Sequence, residues 1–164
     1  MSTITSATTS ATTSVTLAVV PWTHPHAGRL RDQMDAELAP RYADLRTQRG
    51  PRRAVEPASV RVTYVAYDGE RPVGTASLRI AHAEHEVKRV FVAVTHRRLG
   101  LATRLLDAVE GWALDAGVRR IVLQTGVRQP DAIALYAREG WRPTEPFGEY
   151  VGDTFSLCFS KELS

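Results

Sequence analysis

The chain has 164 residues, of which 43% are hydrophobic and 24% charged, and its formal net charge is +3. This composition predicts one globular domain, and it excludes a membrane-spanning helix because no segment approaches the ~20 apolar residues that such a helix needs. Among the 21 basic residues only Lys88 and Lys161 are lysines, and the arginines are spread along the chain rather than gathered in a stripe. Nucleic-acid binding therefore has little support, and we predict no nucleic-acid or membrane partner.

The cysteine content predicts the cellular compartment, and the N-terminal residues predict where the folded domain begins. Cys158 is the only cysteine, so no intrachain disulfide can form, and a cytoplasmic location is predicted. Its apolar setting, Phe155–Phe159, favours a packed side chain over a nucleophile. Residues 1–14 are nearly all Ser, Thr and Ala, which predicts a disordered tail before a domain over residues 15–162.

The first half of the chain predicts a strand, two helices and three more strands. Apolar residues four apart indicate the first helix, and alternating apolar and polar residues indicate the strands. Asp68-Gly69 supplies turn chemistry between two of these strands. In chain order the predicted elements are a strand at Val15–Val20, a helix at Gly28–Leu38, a short helix at Tyr42–Leu45, and strands at Val60–Ala66, Val73–Ile80 and Glu86–Val94.

The second half predicts two helices that alternate with short strands. An apolar face from Leu101 to Ala116 indicates a helix, with Gly117 at the position of a left-handed cap. Ile121–Gln124 is a short apolar strand, which predicts a right-handed parallel crossover. The remaining predicted elements are a helix from Pro130 to a cap at Gly140, a strand from Trp141, and a last strand at Thr154–Lys161.

The stretch Val92–Leu106 runs from a strand through a basic turn into a helix. Arg97, Gly100 and Ala102 have the spacing R-x-x-G-x-A at this junction. The unpaired N–H groups and positive dipole end of a helix start suit an anionic phosphate, and Gly100 lets the backbone approach a ligand. An ordinary basic turn of an α/β protein is the alternative, so the hexapeptide alone does not decide.

Other titratable residues have ordinary interpretations. His24 and His26 could suggest a metal pair, but no third ligand has a convincing spacing. His82 and His85 add little, so we interpret these histidines as solvated loop residues and predict no metal site. Three acids are interpreted as the solvent face of the first helix and the border of its apolar stripe, with a site for a cationic substrate as the alternative. These are Asp32, Asp35 and Glu37.

The predicted order β-α-α-β-β-β-α-β-α-β-β, together with two motifs, resembles the GNAT family of N-acetyltransferases over about residues 15–162. Phe91–Leu106 resembles the family's acetyl-CoA-binding motif, Q/R-x-x-G-x-G/A, in its strand–turn–helix setting. Ile121–Trp141 resembles the second motif, in which a helix with A-x-x-L-Y-x-x-x-G-F/W/Y follows a short strand. Pro146–Lys161 further resembles a bacterial subgroup with a Phe-Gly-x-Tyr loop near the C-terminus.

Three positions depart from the family pattern. Val94 replaces a common proline, and Arg98 replaces the glycine that usually follows the motif arginine. The Arg98 side chain could add a contact to the pyrophosphate or crowd it. Gln129 replaces an asparagine that contacts the pantetheine arm.

The resemblance implies an α/β (α+β) fold with a mixed, mostly antiparallel seven-stranded sheet, flanked by about four helices and splayed between strands 4 and 5 after Phe91–Val94. Freed strand groups would pair with the pantetheine amides, and one strand amide would polarise the thioester carbonyl. The N–H groups of residues 98 to 103 would hold the pyrophosphate. The implied acetyl-CoA-binding residues are Phe91, Val92, Val94, Arg97, Arg98, Leu99, Gly100, Leu101, Ala102, Thr103, Gln129, Ala132 and Tyr136.

The resemblance also implies catalytic roles. Tyr136 matches the tyrosine that protonates the departing CoA thiolate, and a core aromatic is the alternative. A thiol with a pKa of about 8.5 leaves without much help, so loss of Tyr136 should slow the reaction without abolishing it. Glu86 lies where several members keep a glutamate base, and an ion pair with Lys88 or Arg89 is the alternative.

The acceptor amine needs such a base. An amine with a pKa of about 10.4 is neutral in only about one molecule in 2,500 at pH 7, a cost of roughly 4.6 kcal/mol. Glu149 and Tyr150, beside the substrate groove, are further candidates for the base, and His96 is a weaker one. Phe147 joins Glu149 and Tyr150 as a predicted substrate-binding residue.

The resemblance therefore predicts transfer of an acetyl group from acetyl-CoA to a primary amine of a small molecule by direct attack. Acetylation of a protein N-terminus or lysine is one alternative. A non-catalytic acyl-CoA-binding regulatory module is another, and the intact Arg97, Gly100, Ala102 and Tyr136 speak against it. Dimers are frequent in the family, so a homodimer is left open.

Overall fold

The computed structural model describes residues 14–49 and 53–164. It confirms a seven-stranded α/β fold with three long helices and a fourth of one turn. The strands are β1 Val15–Val19, β2 Val60–Asp68, β3 Arg71–Ala81, β4 Glu84–Val92, β5 Arg120–Gly126, β6 Arg142–Pro143 and β7 Ser156–Glu162. The helices are α1 Pro25–Leu38, α2 Arg46–Arg49, α3 Leu101–Asp115 and α4 Pro130–Arg138. The tail predicted over residues 1–14 lies outside the described residues, except for Ser14.

The sheet is mixed, with the strand order β1-β2-β3-β4-β5-β7-β6. Every neighbouring pair is antiparallel except β4 and β5, which are parallel and joined by the α3 crossover. One apolar cluster packs α3 and α4 on one face of the sheet, and a smaller cluster packs α1 on the other. Val65 and Ala66 are consecutive on β2 and belong to different clusters, as the alternation of side chains in a strand requires.

Several element boundaries differ from those predicted. Helix α1 begins at Pro25 rather than Gly28, because proline suits the first helical position and His24 caps it by accepting from the backbone N–H of His26 at 3.1 Å. The predicted short helix at Tyr42–Leu45 is part of a longer 3₁₀ helix, Ala39–Leu45, followed by α2.

The C-terminal strands are shorter than predicted or begin later. Strand β6 has only two residues and starts after Trp141, and β7 starts at Ser156 instead of Thr154. The predicted caps are confirmed, since Gly117 and Gly140 have left-handed φ angles of 83° and 84°.

The parallel contact between β4 and β5 is short. The two strands pair only at Glu86 with Val122 and at Val87 with Leu123. The predicted splay is therefore present, but it begins after Val87 rather than after Phe91–Val94. A bulge contributes to the separation, because β3 and β4 change register beyond Thr75 and Arg89 has a φ of 60°.

Strand β4 also ends at Val92, before the predicted limit, and a 3₁₀ turn at Val94–His96 leads towards α3. The splay opens the sheet in front of the α3 N-terminus, which positions the site described below. None of the helices described has the length and apolar character needed to cross a bilayer.

Candidate active site

A groove runs along the free edge of β4 between α1 and α4. Its floor is the β4 segment Val90–Val92, and its walls come from α1, from the start of α3 and from α4. The lining residues are Met34, Glu37, Leu38, Arg41, Val90, Phe91, Val92, Arg97, Ala102, Gln129, Asp131, Ala132, Leu135 and Tyr136. We call this the donor groove. Seven of the residues predicted to bind acetyl-CoA line it: Phe91, Val92, Arg97, Ala102, Gln129, Ala132 and Tyr136.

The turn into α3 presents backbone N–H groups at one end of the donor groove. Arg98 and Gly100 have left-handed φ angles of 62° and 73°, which fold the chain tightly before the helix. The backbone N–H of Arg104 donates to the Gly100 carbonyl at 3.1 Å, so the N–H groups of residues 101 to 103 precede the first helical hydrogen bond. Free N–H groups at a helix start fit a pyrophosphate.

Arg98 explains one departure from the family pattern. Its φ of 62° belongs to the region where glycine is favoured, so the backbone keeps the turn that the missing glycine would make. Of the other predicted donor residues in this turn, Val94 and Leu99 are exposed and do not line the donor groove.

Arg97 and Thr103 make contacts within the protein. Arg97 donates from Nε to the Val92 carbonyl at 2.9 Å and from Nη2 to Glu37 at 2.6 Å, so it braces the end of β4 and ties it to α1. The Thr103 hydroxyl donates to Glu139 at 2.7 Å. These side chains therefore shape the turn through contacts within the protein.

A second cavity, the acceptor cleft, opens on the other side of the splay. It is lined by α1, the segment that includes α2, the middle of β4, the end of β5, and the loop before β7. The two cavities share Met34, Leu38, Val90, Gln129, Ala132 and Tyr136. They meet where β4 leaves β5, so a ligand in one groove can reach a ligand in the other.

Tyr136 lies at this junction and is only 7% exposed. Its ring contacts Trp141 and Phe159 edge-on or tilted, with centroids 6.1 Å away in both cases. Its hydroxyl has no hydrogen bond to any residue that the structure describes. Burial raises the pKa of this phenol, so the hydroxyl is protonated near neutral pH.

Glu86 is enclosed in a polar cluster beside the acceptor cleft and has no exposed surface. Arg79 donates from Nε to Glu86 Oε2 at 2.9 Å, and its Nη2 lies 2.8 Å from the same oxygen in an ion pair. The other oxygen, Oε1, accepts from the Tyr150 hydroxyl at 2.8 Å and lies 3.4 Å from Lys88 Nζ. Glu86 does not line the cleft, whereas Tyr150 and Lys88 do.

The alternative predicted for Glu86 was an ion pair on the strand surface. Glu86 does pair with Lys88, but the pair is buried. Arg89 pairs instead with Asp35 on α1, which the sequence placed on the solvent face of that helix. The Arg89 backbone bulge accounts for this, because it changes the direction of the side chain within β4.

Tyr150 and Lys88 bridge Glu86 and the cleft. Lys88 Nζ donates to the Tyr150 hydroxyl oxygen at 2.8 Å, while the Tyr150 hydroxyl donates to Glu86. Burial, together with the Glu86 charge, raises the pKa of Tyr150. Burial lowers the pKa of Lys88, although Glu86 opposes that shift. Phe147 packs edge-on against Tyr150 at 5.2 Å and does not line the cleft, so it supports Tyr150.

The sequence interpretation missed Arg79, which holds both Glu86 and Glu149. A signal was present, since Arg79 is the only charged residue in β3 after Arg71 and faces Glu86 in the β3–β4 register. It also missed Tyr42, whose hydroxyl reaches the end of β5. A Cβ at Gly126 would overlap this hydroxyl, so glycine is required for that approach.

The remaining candidates lie apart from the two cavities. His96 Nε2 is 2.8 Å from Asp68, and neither residue lines a cavity. Cys158 is buried as predicted, and burial raises the pKa of its thiol. Within residues 14–49 and 53–164, no three His, Cys, Asp or Glu side chains are grouped to hold a metal ion.

The sequence profile of the Acetyltransferase (GNAT) family matches residues 27–141. The match covers more than half of the chain and includes both motifs, so the chain belongs to the GNAT acetyltransferase family. Two relatives illustrate the similarity. The IAA acetyltransferase of Azospirillum brasilense is 44% identical over 78 residues, which is 48% of this chain and 51% of the relative. The uncharacterized N-acetyltransferase YsnE of Bacillus subtilis is 30% identical over 101 residues, 60% of this chain and 67% of the relative.

The alignment thus spans about half the length of the first relative. Solved structures match over more of the chain. A Klebsiella pneumoniae protein assigned as an acyl-CoA N-acyltransferase superposes with a TM-score of 0.76 and 27% identity, covering 92% of this chain and 98% of that one. A GNAT acetyltransferase from Elizabethkingia anophelis with acetyl-CoA bound has a TM-score of 0.65 and 18% identity, covering 91% and 98%. The second likeness shows the fold alone.

Proposed function

We propose that this chain transfers an acetyl group from acetyl-CoA to a primary amine of a small molecule by direct attack. The observation that carries the proposal is the meeting of the donor groove and the acceptor cleft at the β4–β5 splay, with Tyr136 lining both. Two cavities that join at one buried proton donor suit a reaction between two bound molecules. Cys158 is buried and lines neither cavity, which agrees with attack without a covalent enzyme intermediate.

On the donor side, the backbone N–H groups at the α3 start would hold the pyrophosphate. Beyond Val87, the β4 edge that faces β5 has no partner strand in the described part of the chain, so its free backbone groups would pair with the pantetheine amides as an added strand does. The bound thioester supplies an activated acetyl group. A β4 amide directed at its carbonyl oxygen would stabilise the charge that develops there. Gln129 and Ala132 would flank the pantetheine arm.

On the acceptor side, we infer that Glu86 is the final proton acceptor and acts through Tyr150. Glu86 does not line the cleft, whereas the Tyr150 oxygen lies 2.8 Å from its Oε1 and does. As the amine nitrogen forms its bond to the acetyl carbon, Tyr150 would take the amine proton and pass its own to Glu86. The carbon–sulfur bond then breaks, and Tyr136 would give its proton to the thiolate. Arg79 would stabilise the Glu86 carboxylate before transfer.

The proposal also includes the cellular location of the protein and the extent of its catalytic domain. We place the activity in the cytoplasm, supported by a single buried cysteine that needs no oxidising compartment. We also propose that residues 15–162 form the catalytic domain. Within it, Phe147 supports Tyr150, and Glu149 helps to wall the acceptor cleft.

The test is release of free CoA from acetyl-CoA with a panel of amino acids, polyamines, aminoglycosides and peptides. Turnover with a small amine, lost in Arg97→Ala because Arg97 braces the end of β4, would support the proposal. Turnover confined to peptides would point to protein acetylation. Tight acetyl-CoA binding without turnover on any acceptor would indicate a binding module, and no CoA binding would overturn the proposal.

A further inference from the structure

The acceptor cleft has more cationic side chains than its own carboxylates neutralise. Five cations and three carboxylates line it. The cations are Arg46, Arg49, Arg53, Lys88 and Arg89, and the carboxylates are Asp35, Glu149 and Asp153. The donor groove differs, since its two arginines are both within reach of Glu37.

The three cleft carboxylates already accept hydrogen bonds from neighbouring groups. Asp35 pairs with Arg89, and Glu149 accepts from Arg79 at 3.2 Å. Asp153 accepts from a backbone N–H at 2.8 Å and from a serine hydroxyl at 2.6 Å, both in the segment that follows it. These acids are therefore occupied in holding the walls of the cleft together.

The arginines on and after α2 are much less engaged. Arg49 stacks 4.1 Å above the Tyr42 ring, and neither Arg49 nor Arg46 has an ion pair with a described carboxylate. Arg53 is 77% exposed and reaches only within 3.9 Å of Glu149. The undescribed residues contain no Asp or Glu that could pair with these arginines.

The two ends of the cleft have different surroundings. Arg46 and Arg53 are exposed at the mouth, whereas Lys88 is 18% exposed and lies near Tyr150. A guanidinium with free N–H groups binds a carboxylate or phosphate with two parallel hydrogen bonds. A cation at the inner end disfavours an ammonium there and favours the neutral amine that can attack.

We propose that the acceptor is an amine that also carries an anionic group, a carboxylate or a phosphate, held by Arg46, Arg49 and Arg53 while the amine lies beside Lys88 and Tyr150. This inference rests on the proposed acetyl transfer and specifies its substrate class. It excludes polyamines as good acceptors, because the cleft would repel a second positive charge.

The experiment compares matched acceptors by initial rates at saturating acetyl-CoA. One arm pairs amino acids with their carboxamides, and the other pairs phosphoethanolamine with ethanolamine. In at least one arm we expect the anionic member to have a kcat/KM about tenfold or more above its neutral partner. Arg49→Ala should lower kcat/KM for the anionic member about tenfold, mainly through KM, and leave the neutral member within about twofold.

Arg61→Ala is the matched control, since Arg61 is exposed on β2 and lines neither cavity. It should change neither member. The double variant Arg46→Glu, Arg49→Glu should reverse the preference towards diamines, which a merely structural role of these arginines would not produce.

Equal kcat/KM for both members in both arms would overturn this inference while leaving acetyl transfer intact. Equal losses for anionic and neutral acceptors in Arg49→Ala would overturn it as well. Absence of transfer to every amine would instead overturn the proposed function, and the substrate class with it. A preference in only one arm identifies carboxylate or phosphate as the anionic group.

Discussion

Tyr136 and Tyr150 are both buried phenols with raised pKa values, yet their hydrogen bonds differ. The Tyr136 hydroxyl has no partner among the described residues and faces both cavities. The Tyr150 hydroxyl donates to Glu86 and accepts from Lys88. Tyr136 can therefore give a proton to a ligand without breaking a hydrogen bond inside the protein, whereas Tyr150 can take a proton from a ligand only as it passes its own to Glu86.

Tyr136→Phe should lower kcat roughly 10- to 100-fold without abolishing transfer. A CoA thiolate can still leave when no proton donor is present, although it leaves more slowly. The loss of a hydroxyl that bonds no described residue should change the free energy of unfolding by less than about 0.5 kcal/mol. The measurement is steady-state CoA release together with urea unfolding. Tyr64→Phe is the control, because Tyr64 is half-buried, has a pKa raised by burial and lines neither cavity. An equal kcat in Tyr136→Phe and wild type would contradict the assigned role.

Tyr150→Phe should cut the path from the amine to Glu86. The amine must then lose its proton to water, so the rate should follow the neutral fraction of the free amine. We expect kcat/KM to rise about tenfold per pH unit up to the amine pKa of about 10.4, with the largest deficit near pH 7. The measurement is kcat/KM for one acceptor between pH 6 and 10.

Glu86→Gln supplies the second half of this test. It keeps the shape of the side chain but cannot accept the proton, so its pH profile should match that of Tyr150→Phe. Its folding must be checked first, since breaking a buried ion pair with Arg79 costs about 3–5 kcal/mol. A wild-type profile in Tyr150→Phe would show that the proton leaves by another route.

At the scale of elements, the α3 start combines a left-handed backbone turn with N–H groups that precede the first helical hydrogen bond. Gly100 has a φ of 73°, and a Cβ there would meet no atom within 4 Å. Gly117, beyond the other end of α3, has a φ of 83° and equally open surroundings. The two glycines have the same backbone requirement, but only Gly100 adjoins the free N–H groups that would hold the pyrophosphate.

Gly100→Ala and Gly117→Ala should each lower the free energy of unfolding by about 1 kcal/mol, because both place a Cβ in the left-handed region. Only Gly100→Ala should also weaken acetyl-CoA binding, by roughly tenfold, since its Cβ would stand beside the phosphate path. Urea unfolding and calorimetric titration with acetyl-CoA measure the two effects. If both variants bind acetyl-CoA as wild type does, the pyrophosphate does not approach this turn.

At the scale of the whole molecule, the half-buried Glu110 couples stability to pH. Glu110 on α3 accepts from Lys161 on β7 at 2.8 Å, and its other oxygen is buried without a hydrogen-bond partner in the described part of the chain. Burial raises its pKa above the usual 4.5, although Lys161 opposes the shift. The folded state therefore binds the Glu110 carboxyl proton more tightly than the unfolded state does. The stability that this protonation contributes is lost as pH rises through the folded pKa of Glu110.

Glu110→Gln should remove this dependence. Relative to wild type, the variant should gain stability as pH rises from 4.5 through the folded pKa of Glu110. Urea unfolding of both proteins between pH 4.5 and 7.5 measures the difference between their free energies of unfolding. The contributions of the other carboxylates are the same in both proteins and cancel in this difference. Lys161 retains its bond to the Glu139 carbonyl in both proteins. A difference that does not vary with pH would contradict the raised pKa.

The elements and the donor motif were predictable because they depend on local sequence. The apolar period of α3, the caps at Gly117 and Gly140, and the R-x-x-G-x-A turn all act within a few residues of the chain. The predicted boundaries were wrong where a side chain supplied an unexpected cap, as His24 does at the start of α1. They were also wrong where pairing with a neighbouring strand fixed the boundary, as at the start of β7.

By itself the sequence determined the fold class, the phosphate-type turn and the position of Tyr136. The tertiary arrangement was needed to show that Arg79 pairs with the buried Glu86 and that Tyr150 connects Glu86 to the cleft. It was also needed to show that Arg46 and Arg49 line the cleft without an ion pair to a described carboxylate. The reason is physical. Helix and turn propensities act between near neighbours, whereas burial and charge balance depend on segments brought together across the sheet from positions far apart in the chain.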